Sequence, residues 1–407
     1  MKVLIVAPFP TDPLDAGNRA RVANLIDALR TLGHDVHFAH LQTTSFDGEA
    51  MARRLGAGKL HLLPFSAQPP TLPRPRRYAR RIAAWLKRPR AFEWSLDAWY
   101  WSGYTPMLGA LQATFRFDAV VVNYVFMTRA FDAFPVPCLK LLDTHDSLGL
   151  RHLRYLQAGM RPHWFSTPLA DEVRGLRRAD VVIAIQDEEA ATFRRRLGEG
   201  EIPKVVTVGH LVALPPLKPM SARRSAVFLG SSNPINVHGL RNYLRYIHPR
   251  VMAALPDFQL LIAGAASDHL ADAPGLIRLG VVPDLASAFE GARICINPVL
   301  MGTGIAIKLL DAMAHGIPCV CTRSGSRGLH EADGGIDVVD DHDSAGFAER
   351  MVRLLTDLDC WSSHRRIIRA AAERWNATQE STLNTALAVP AHSTAQKSLG
   401  TDARNLL

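Results

Sequence analysis

The stretch Asn297-Pro298-Val299-Leu300-Met301-Gly302-Thr303-Gly304-Ile305-Ala306-Ile307-Lys308-Leu309-Leu310-Asp311-Ala312-Met313-Ala314-His315-Gly316-Ile317-Pro318 constrains the fold more than any other. Arg293-Ile294-Cys295-Ile296 ahead of it and Cys319-Val320-Cys321 behind it read as short strands buried on both faces of a parallel sheet. Between them a glycine-rich turn opens a helix from about Ile305 to Ala314, closed by Gly316 and Pro318. Gly302 and Gly304 let the backbone approach a ligand with no Cβ in the way. The free N–H groups of the first helical turn then face that ligand, in a field that favours negative charge. Lys308 and Asp311 are three apart and reach the same side of the helix. A cation beside phosphate and a carboxylate beside sugar hydroxyls suit a nucleoside diphosphate.

The strand–loop–helix unit recurs on both sides of a proline-rich linker, Leu214-Pro215-Pro216-Leu217-Lys218-Pro219. The first series opens with Lys2 to Ala7. A loop with Asp15, Gly17 and Asn18 follows, then a helix from Arg19 to Leu32 with Val22, Leu25, Ile26 and Leu29 at helical spacing. Gly33 caps it, and Val36 to Ala39 forms the next strand. Asp118 to Val122 is a further strand, with Asn123-Tyr124 at its carboxyl end. Cys138 to Leu142 follows, running straight into Asp143-Thr144-His145-Asp146-Ser147. A His flanked by carboxylates at the carboxyl end of a central strand stands where open α/β sheets bind ligands. Asp180 to Ile185 and Val205 to Val208 complete this series, with Glu188 and Glu189 in the first turn of the intervening helix.

The second series opens with Ala226 to Leu229, closed by Gly230-Ser231-Ser232. A helix from Val237 to Leu255 follows, with Asn236 as its cap and Pro249 as a break. Phe258 to Ala263, Ile277 to Val282 and a helix from Leu285 to Phe289 lead to the organising stretch. A chain of 407 residues exceeds one hydrophobic core. The expected architecture is therefore α/β, with two doubly wound, Rossmann-like parallel sheets facing each other across a cleft. Residues 1–215 form the first domain, 216–222 the linker and 223–386 the second. A helix over Asp359 to Trp375, with Ile367, Ile368, Ala371 and Trp375 on one face, is a candidate to pack back on the first domain. Residues 387–407 read as a mobile tail.

The motifs, in this order, resemble the GT-B glycosyltransferases, in particular family 4 (glycosyl transferases group 1). Members carry a Gly-Thr-Gly turn, a following Lys and a helix ending Glu-Ala-x-x-x-Gly-x-Pro. The resemblance implies a donor site for a nucleotide-diphosphate sugar built from Gly17, Gly230, Ser231, Gly302, Thr303, Gly304, Lys308 and Asp311. It puts His145 near the transferred sugar as the catalytic residue. It also implies retention at the anomeric carbon, with no metal and no cofactor beyond the co-substrate. The chain departs from the pattern in two places. Two glutamates eight positions apart are replaced by Thr303 and Asp311, and Pro234, Ile235 and Asn236 stand where many members have a Lys or Arg, with Arg241 as a substitute.

The formal net charge is +9, which favours an anionic partner of unspecified kind. Arg74 to Arg90 concentrates it: eight basic residues and no acidic one, with Tyr78, Ile82, Trp85 and Leu86 on one helical stripe. Two readings stay open, an interfacial helix on an anionic membrane and a solvated helix packed on its own domain. No nucleic-acid-binding module is visible. Met1 to Val6 runs into a strand, no apolar run is long enough to span a bilayer, and the five cysteines show no metal-ligand spacing. These features imply a cytoplasmic protein with reduced core thiols, peripheral on the inner face of the cell membrane if the basic segment meets lipid.

The function expected is sugar transfer to a glycan or lipid-linked acceptor hydroxyl, in bacterial cell-surface polysaccharide or glycolipid synthesis. The alternatives are a nucleotide-sugar epimerase of GT-B fold and a non-catalytic scaffold that binds nucleotide sugar or lipid. A dehydrogenase is disfavoured, because the first loop lacks Gly-x-Gly-x-x-Gly spacing.

Overall fold

The computed structural model describes the chain except residues 15, 43–45, 65–88, 158, 160, 163, 199, 201–202, 283–284, 302–304, 330–334 and 392–407. The chain divides into two units. One is Met1–Gly209 together with the chain from Glu380 onward; the other is His210–Gln379.

The first unit is a seven-stranded sheet in the order β3-β2-β1-β4-β5-β6-β7. Its strands are β1 (Lys2–Ala7), β2 (Asp35–Gln42), β3 (Leu60–Pro64), β4 (Ala119–Asn123), β5 (Leu139–Asp143), β6 (Val181–Ala184) and β7 (Lys204–Thr207). All are parallel. The order reverses beside β1, which pairs with both β2 and β4, so the crevice at the carboxyl ends of β1 and β4 is the topological switch point. The apolar runs explain the placement: β4 and β6 are buried at every position.

The second unit repeats the plan with six parallel strands, β10-β9-β8-β11-β12-β13. These are β8 (Ser225–Leu229), β9 (Gln259–Ala263), β10 (Leu276–Gly280), β11 (Ile294–Asn297), β12 (Cys319–Thr322) and β13 (Ile336–Val339). Alternate residues face opposite helical layers. Ala226 and Phe228 join a core with Leu240, Tyr243, Phe347 and Met351. Val227 and Leu229 join another with Leu309, Leu310, Met313 and Ile368.

Several elements differ from the sequence reading. Gly17 does not lie in the loop before the first helix; it is the first residue of that helix, α1 (Gly17–Thr31). Asn123 and Asp143 are the last residues of β4 and β5 rather than the residues after them, so both side chains are buried. The cap of the helix after β8 (Pro234–Tyr246) is Asn233, which accepts from the Ile235 N–H, and not Asn236. Pro249 opens a separate helix, His248–Ala254, where its missing N–H costs nothing. The last helix runs from Leu358 to Leu387. Ile368, Ala371 and Ala372 are buried on its inner face, whereas Ile367 is exposed.

Residues 74–88 of the basic segment lie outside the described residues. No helix among the described residues is long and apolar enough to cross a membrane. Cys138, Cys295, Cys319 and Cys321 are buried, and Cys360 is half-buried.

Candidate active site

In the first unit the carboxyl ends of β1, β4 and β5 bring Phe9, Asn123, Tyr124 and His145 together. Asn123 is fully buried, and its Nδ2 donates to the Val6 carbonyl at 3.0 Å. That bond identifies Oδ1 as the end facing His145 Nε2 at 2.7 Å. An amide oxygen only accepts, so Nε2 carries the proton and Nδ1 holds the lone pair of a neutral ring. Tyr124 stacks on the imidazole at 4.4 Å, and Phe9 meets it edge-on at 5.7 Å. His145 and Tyr124 both hold left-handed backbone, with φ of 60° and 71°. For ring-bearing side chains this is strain, of the kind that clusters at working sites. Burial pushes the His145 pKa down to about 4, against the pull of nearby Asp143.

The carboxylates flanking His145 are both engaged. Asp143 is fully buried and accepts from Arg21 Nε at 3.1 and 2.9 Å and from Nη2 at 2.7 Å. Arg21 also donates to the carbonyls of Gly209 and Val208, each at 2.9 Å. Asp146 is paired with Arg151 at 2.8 Å. Arg154 donates to the Ser147 carbonyl at 3.1 Å, so both downstream arginines order this loop. Two buried glutamates clamp it from beneath. Glu172 accepts from Leu148 N–H at 2.7 Å and Gly149 N–H at 2.8 Å. Glu189 accepts from Ser147 N–H at 3.3 Å, and burial raises its carboxyl to about 7. Arg21 and Glu172 were not legible as site residues, because their partners lie 122 and 23–24 positions away.

In the second unit the loop after β8 meets the helix Ile307–Ala314 (α10). Gly230 accepts from Ala266 N–H at 3.1 Å, which seats the loop on the turn after β9. Gly264 in that turn has φ +100°, and a Cβ there would meet the Gly230 carbonyl oxygen at 2.3 Å. Ser231 to Pro234 are exposed. Asn236 Nδ2 donates to the Ser231 carbonyl at 3.2 Å, while its Oδ1 accepts from Lys308 Nζ at 2.9 Å. The Lys308 ammonium also lies 4.0 Å from the centre of the Phe228 ring. Among the described residues no carboxylate pairs with it. Desolvation lowers Lys308 to about 7 and raises Asp311, one turn on, to about 7.

Gly230, Ser231 and Lys308 are thus brought together around Asn236, with Asp311 on the same helix. Gly302, Thr303 and Gly304 lie outside the described residues. The expectation of several free N–H groups in the first turn of α10 needs correction. Ala306 N–H donates to the Arg327 carbonyl at 3.2 Å, and Ile307 N–H to that of Ile305 at 3.0 Å. Leu309 and Leu310 N–H both donate to that of Ala306, at 2.9 and 3.3 Å. The turn contributes its dipole and Lys308 more than open donors. Arg241 donates to the His269 carbonyl at 2.9 Å, anchoring a neighbouring loop. Gly17 heads α1 in the first unit and is exposed. Among the described residues no cluster of His, Cys, Asp or Glu could hold a metal ion.

Two doubly wound parallel sheets, one with a lysine and a glycine loop at its strand ends, define a GT-B architecture. Solved structures share it. Sucrose-phosphate synthase from Thermosynechococcus elongatus matches with a TM-score of 0.64 at 16% identity, over 95% of this chain and 98% of that one. HepE from Anabaena, solved with UDP and glucose, matches at 0.62 and 13% identity, over 95% and 99%. TarM of S. aureus, solved with fondaparinux, α-GlcNAc-glycerol and UDP, matches at 0.65 and 8% identity, over 95% and 100%. At these identities the likeness is one of fold.

Residues 223–357, within the second unit, match the family model of glycosyl transferases group 1. A 44.6 kDa protein of the cps region of Klebsiella pneumoniae is 33% identical over 131 residues, covering 29% of this chain. The match spans about a third of that curated relative, 34% of its length.

Proposed function

We propose that the chain is a retaining glycosyltransferase of the family 4 type, moving a sugar from a nucleotide-diphosphate donor to an acceptor hydroxyl. The observation that carries this reading is Lys308: a cation held by a neutral amide and an aromatic face, without a carboxylate partner among the described residues. Such a site lacks an anion, and a diphosphate supplies one. Gly230, Ser231, Lys308 and Asp311, with Gly302, Thr303 and Gly304 of the turn, hold the donor in this proposal. Lys308 and the helix dipole then stabilise the charge that develops on the leaving diphosphate. The co-substrate is the only small molecule invoked, and the charge stabilisation comes from the chain's own groups.

By the family resemblance, Gly17 and His145 of the first unit have the donor phosphates and the transferred sugar as their expected partners. His145 is neutral, with Nε2–H turned to Asn123, and offers the Nδ1 lone pair to a sugar hydroxyl. Asp143 and Asp146 are held by Arg21 and Arg151, which favours departure and attack on one sugar face over a covalent carboxylate intermediate. The same engagement makes Asp143 and Asp146 poorly suited to be the acid and base that an epimerase would require.

The acceptor in this proposal is a glycan or lipid-linked saccharide of the cell surface. The cps-region relative and the glycan and UDP ligands of the structural neighbours support that choice. Arg74 to Arg90 is the segment proposed to meet an anionic membrane, which would hold a cytoplasmic enzyme at its inner face. The test is turnover of a nucleotide-sugar panel followed by NMR. Release of the sugar with the donor's anomeric configuration is the expected result, and inverted product or no turnover of any donor contradicts it.

A further inference from the structure

We propose that Asn236 is the positioning residue of the diphosphate site, a neutral side chain that fixes Lys308 without cancelling its charge. The inference rests on the nucleotide-sugar reading above and deepens it. Both ends of the Asn236 amide are used. Nδ2 donates to the Ser231 carbonyl at 3.2 Å, which leaves Oδ1 as the end that meets Lys308 Nζ at 2.9 Å. Asn236 therefore ties the glycine loop after β8 to the lysine of α10, two elements 72 positions apart in sequence.

The helix does not need this amide as a cap, since Asn233 already fills that role. An ammonium has three donors and Asn236 takes one of them. The Phe228 ring, 4.0 Å from Nζ, supports the cation on its negative face without supplying a charge. A carboxylate at position 236 would hold Lys308 more strongly, but it would also cancel the positive charge a diphosphate meets. An aliphatic residue would leave the long side chain unanchored over Phe228. The amide alone holds the lysine in place and keeps its charge. The lowered pKa of Lys308 agrees with a desolvated cation that no carboxylate among the described residues faces.

The test is calorimetric titration with UDP and, in parallel, GDP. It compares the wild type with Asn236→Ala, Asn236→Asp and Lys308→Ala between pH 6.5 and 9, in buffers of different ionisation enthalpy. Losing one hydrogen bond to a charged group weakens binding about tenfold, which is the result expected for Asn236→Ala. Asn236→Asp is expected to bind more weakly still, with an unchanged circular-dichroism spectrum and a melting temperature no lower than that of the wild type. Proton uptake on binding, present in the wild type at pH 8, is expected to vanish in Asn236→Asp, because the introduced carboxylate keeps Lys308 protonated beforehand. A merely structural tether would not move this last readout.

If Lys308→Ala abolishes binding while Asn236→Asp binds as the wild type does, the donor-site reading stands and the role of Asn236 falls. Equal losses in the two Asn236 variants with unchanged proton uptake also overturn it. Failure of the wild type to bind either nucleotide overturns the inference and the donor-site reading together.

Discussion

Arg21 grips both carboxylate oxygens of Asp143, the last residue of β5, with contacts of 2.7, 2.9 and 3.1 Å. The pair is buried, and the same guanidinium reaches the carbonyls of Val208 and Gly209. Its charge also offsets that of Asp143 where His145 lies, which helps keep the imidazole neutral. Removing one partner strands the other as an uncompensated buried charge, a loss of roughly 3–5 kcal/mol. Arg21→Met is expected to lower the urea midpoint of unfolding accordingly. The double variant Arg21→Met with Asp143→Leu is expected to recover much of that loss.

His145 provides a pH signature. Its folded pKa, about 4, lies below the ordinary 6.5, so the unfolded chain binds the proton more readily. Stability from this group is complete above pH 6.5 and is lost as pH falls through 6.5 towards 4. Imidazole NMR of the folded protein should show no His145 titration between pH 5.5 and 8. Asn123→Asp, which sets a carboxylate against Nε2, should bring that titration into the window.

Lys308 is costly to the fold in the absence of ligand. Its folded pKa of about 7 lies below the ordinary 10.5, so the unfolded state holds the proton more tightly. The cost is complete below pH 7 and fades as pH rises towards 10.5. Lys308→Met is therefore expected to melt above the wild type at pH 6.5, with the gap closing at alkaline pH, while losing UDP binding. For the wild type, UDP affinity should fall as pH rises above 7, by at most about tenfold per unit.

Gly264 tests the packing behind the donor loop. With φ at +100° and a Cβ meeting the Gly230 oxygen at 2.3 Å, Gly264→Ala must strain its own backbone or displace the loop. Backbone strain of this kind costs on the order of 1–3 kcal/mol, and displacement adds to it. Calorimetric melting of the variant is expected to show the second unit destabilised and UDP binding weakened. Gly58→Ala, also at positive φ but with open space around it, should show the backbone strain alone.

The parallel sheets were legible where strands are unbroken apolar runs, such as Val3-Leu4-Ile5-Val6 and Ala119-Val120-Val121-Val122. Lys308, Gly230 and His145 were named as candidates from their place after a strand or in the first turn of a helix, together with the family resemblance. The supporting residues were not. Asn236 read as a cap because its spacing before an apolar run fits one, and only the three-dimensional contact with Lys308 reassigns it. Asp143 read as a carboxylate flanking His145, and the sequence held no sign of Arg21, whose guanidinium pairs with it. Local pattern reports the backbone course, and long-range polar contacts decide which of the exposed-looking groups are occupied.

Where the donor diphosphate binds is read from the dissociation constants of UDP-sugars and GDP-sugars for the wild type, Lys308→Ala and His145→Ala. One donor is expected to bind the wild type at micromolar to millimolar concentration, Lys308→Ala to lose it, and His145→Ala to keep binding but lose turnover. Equal binding by Lys308→Ala and the wild type, or no binding of any nucleotide sugar, would contradict this expectation.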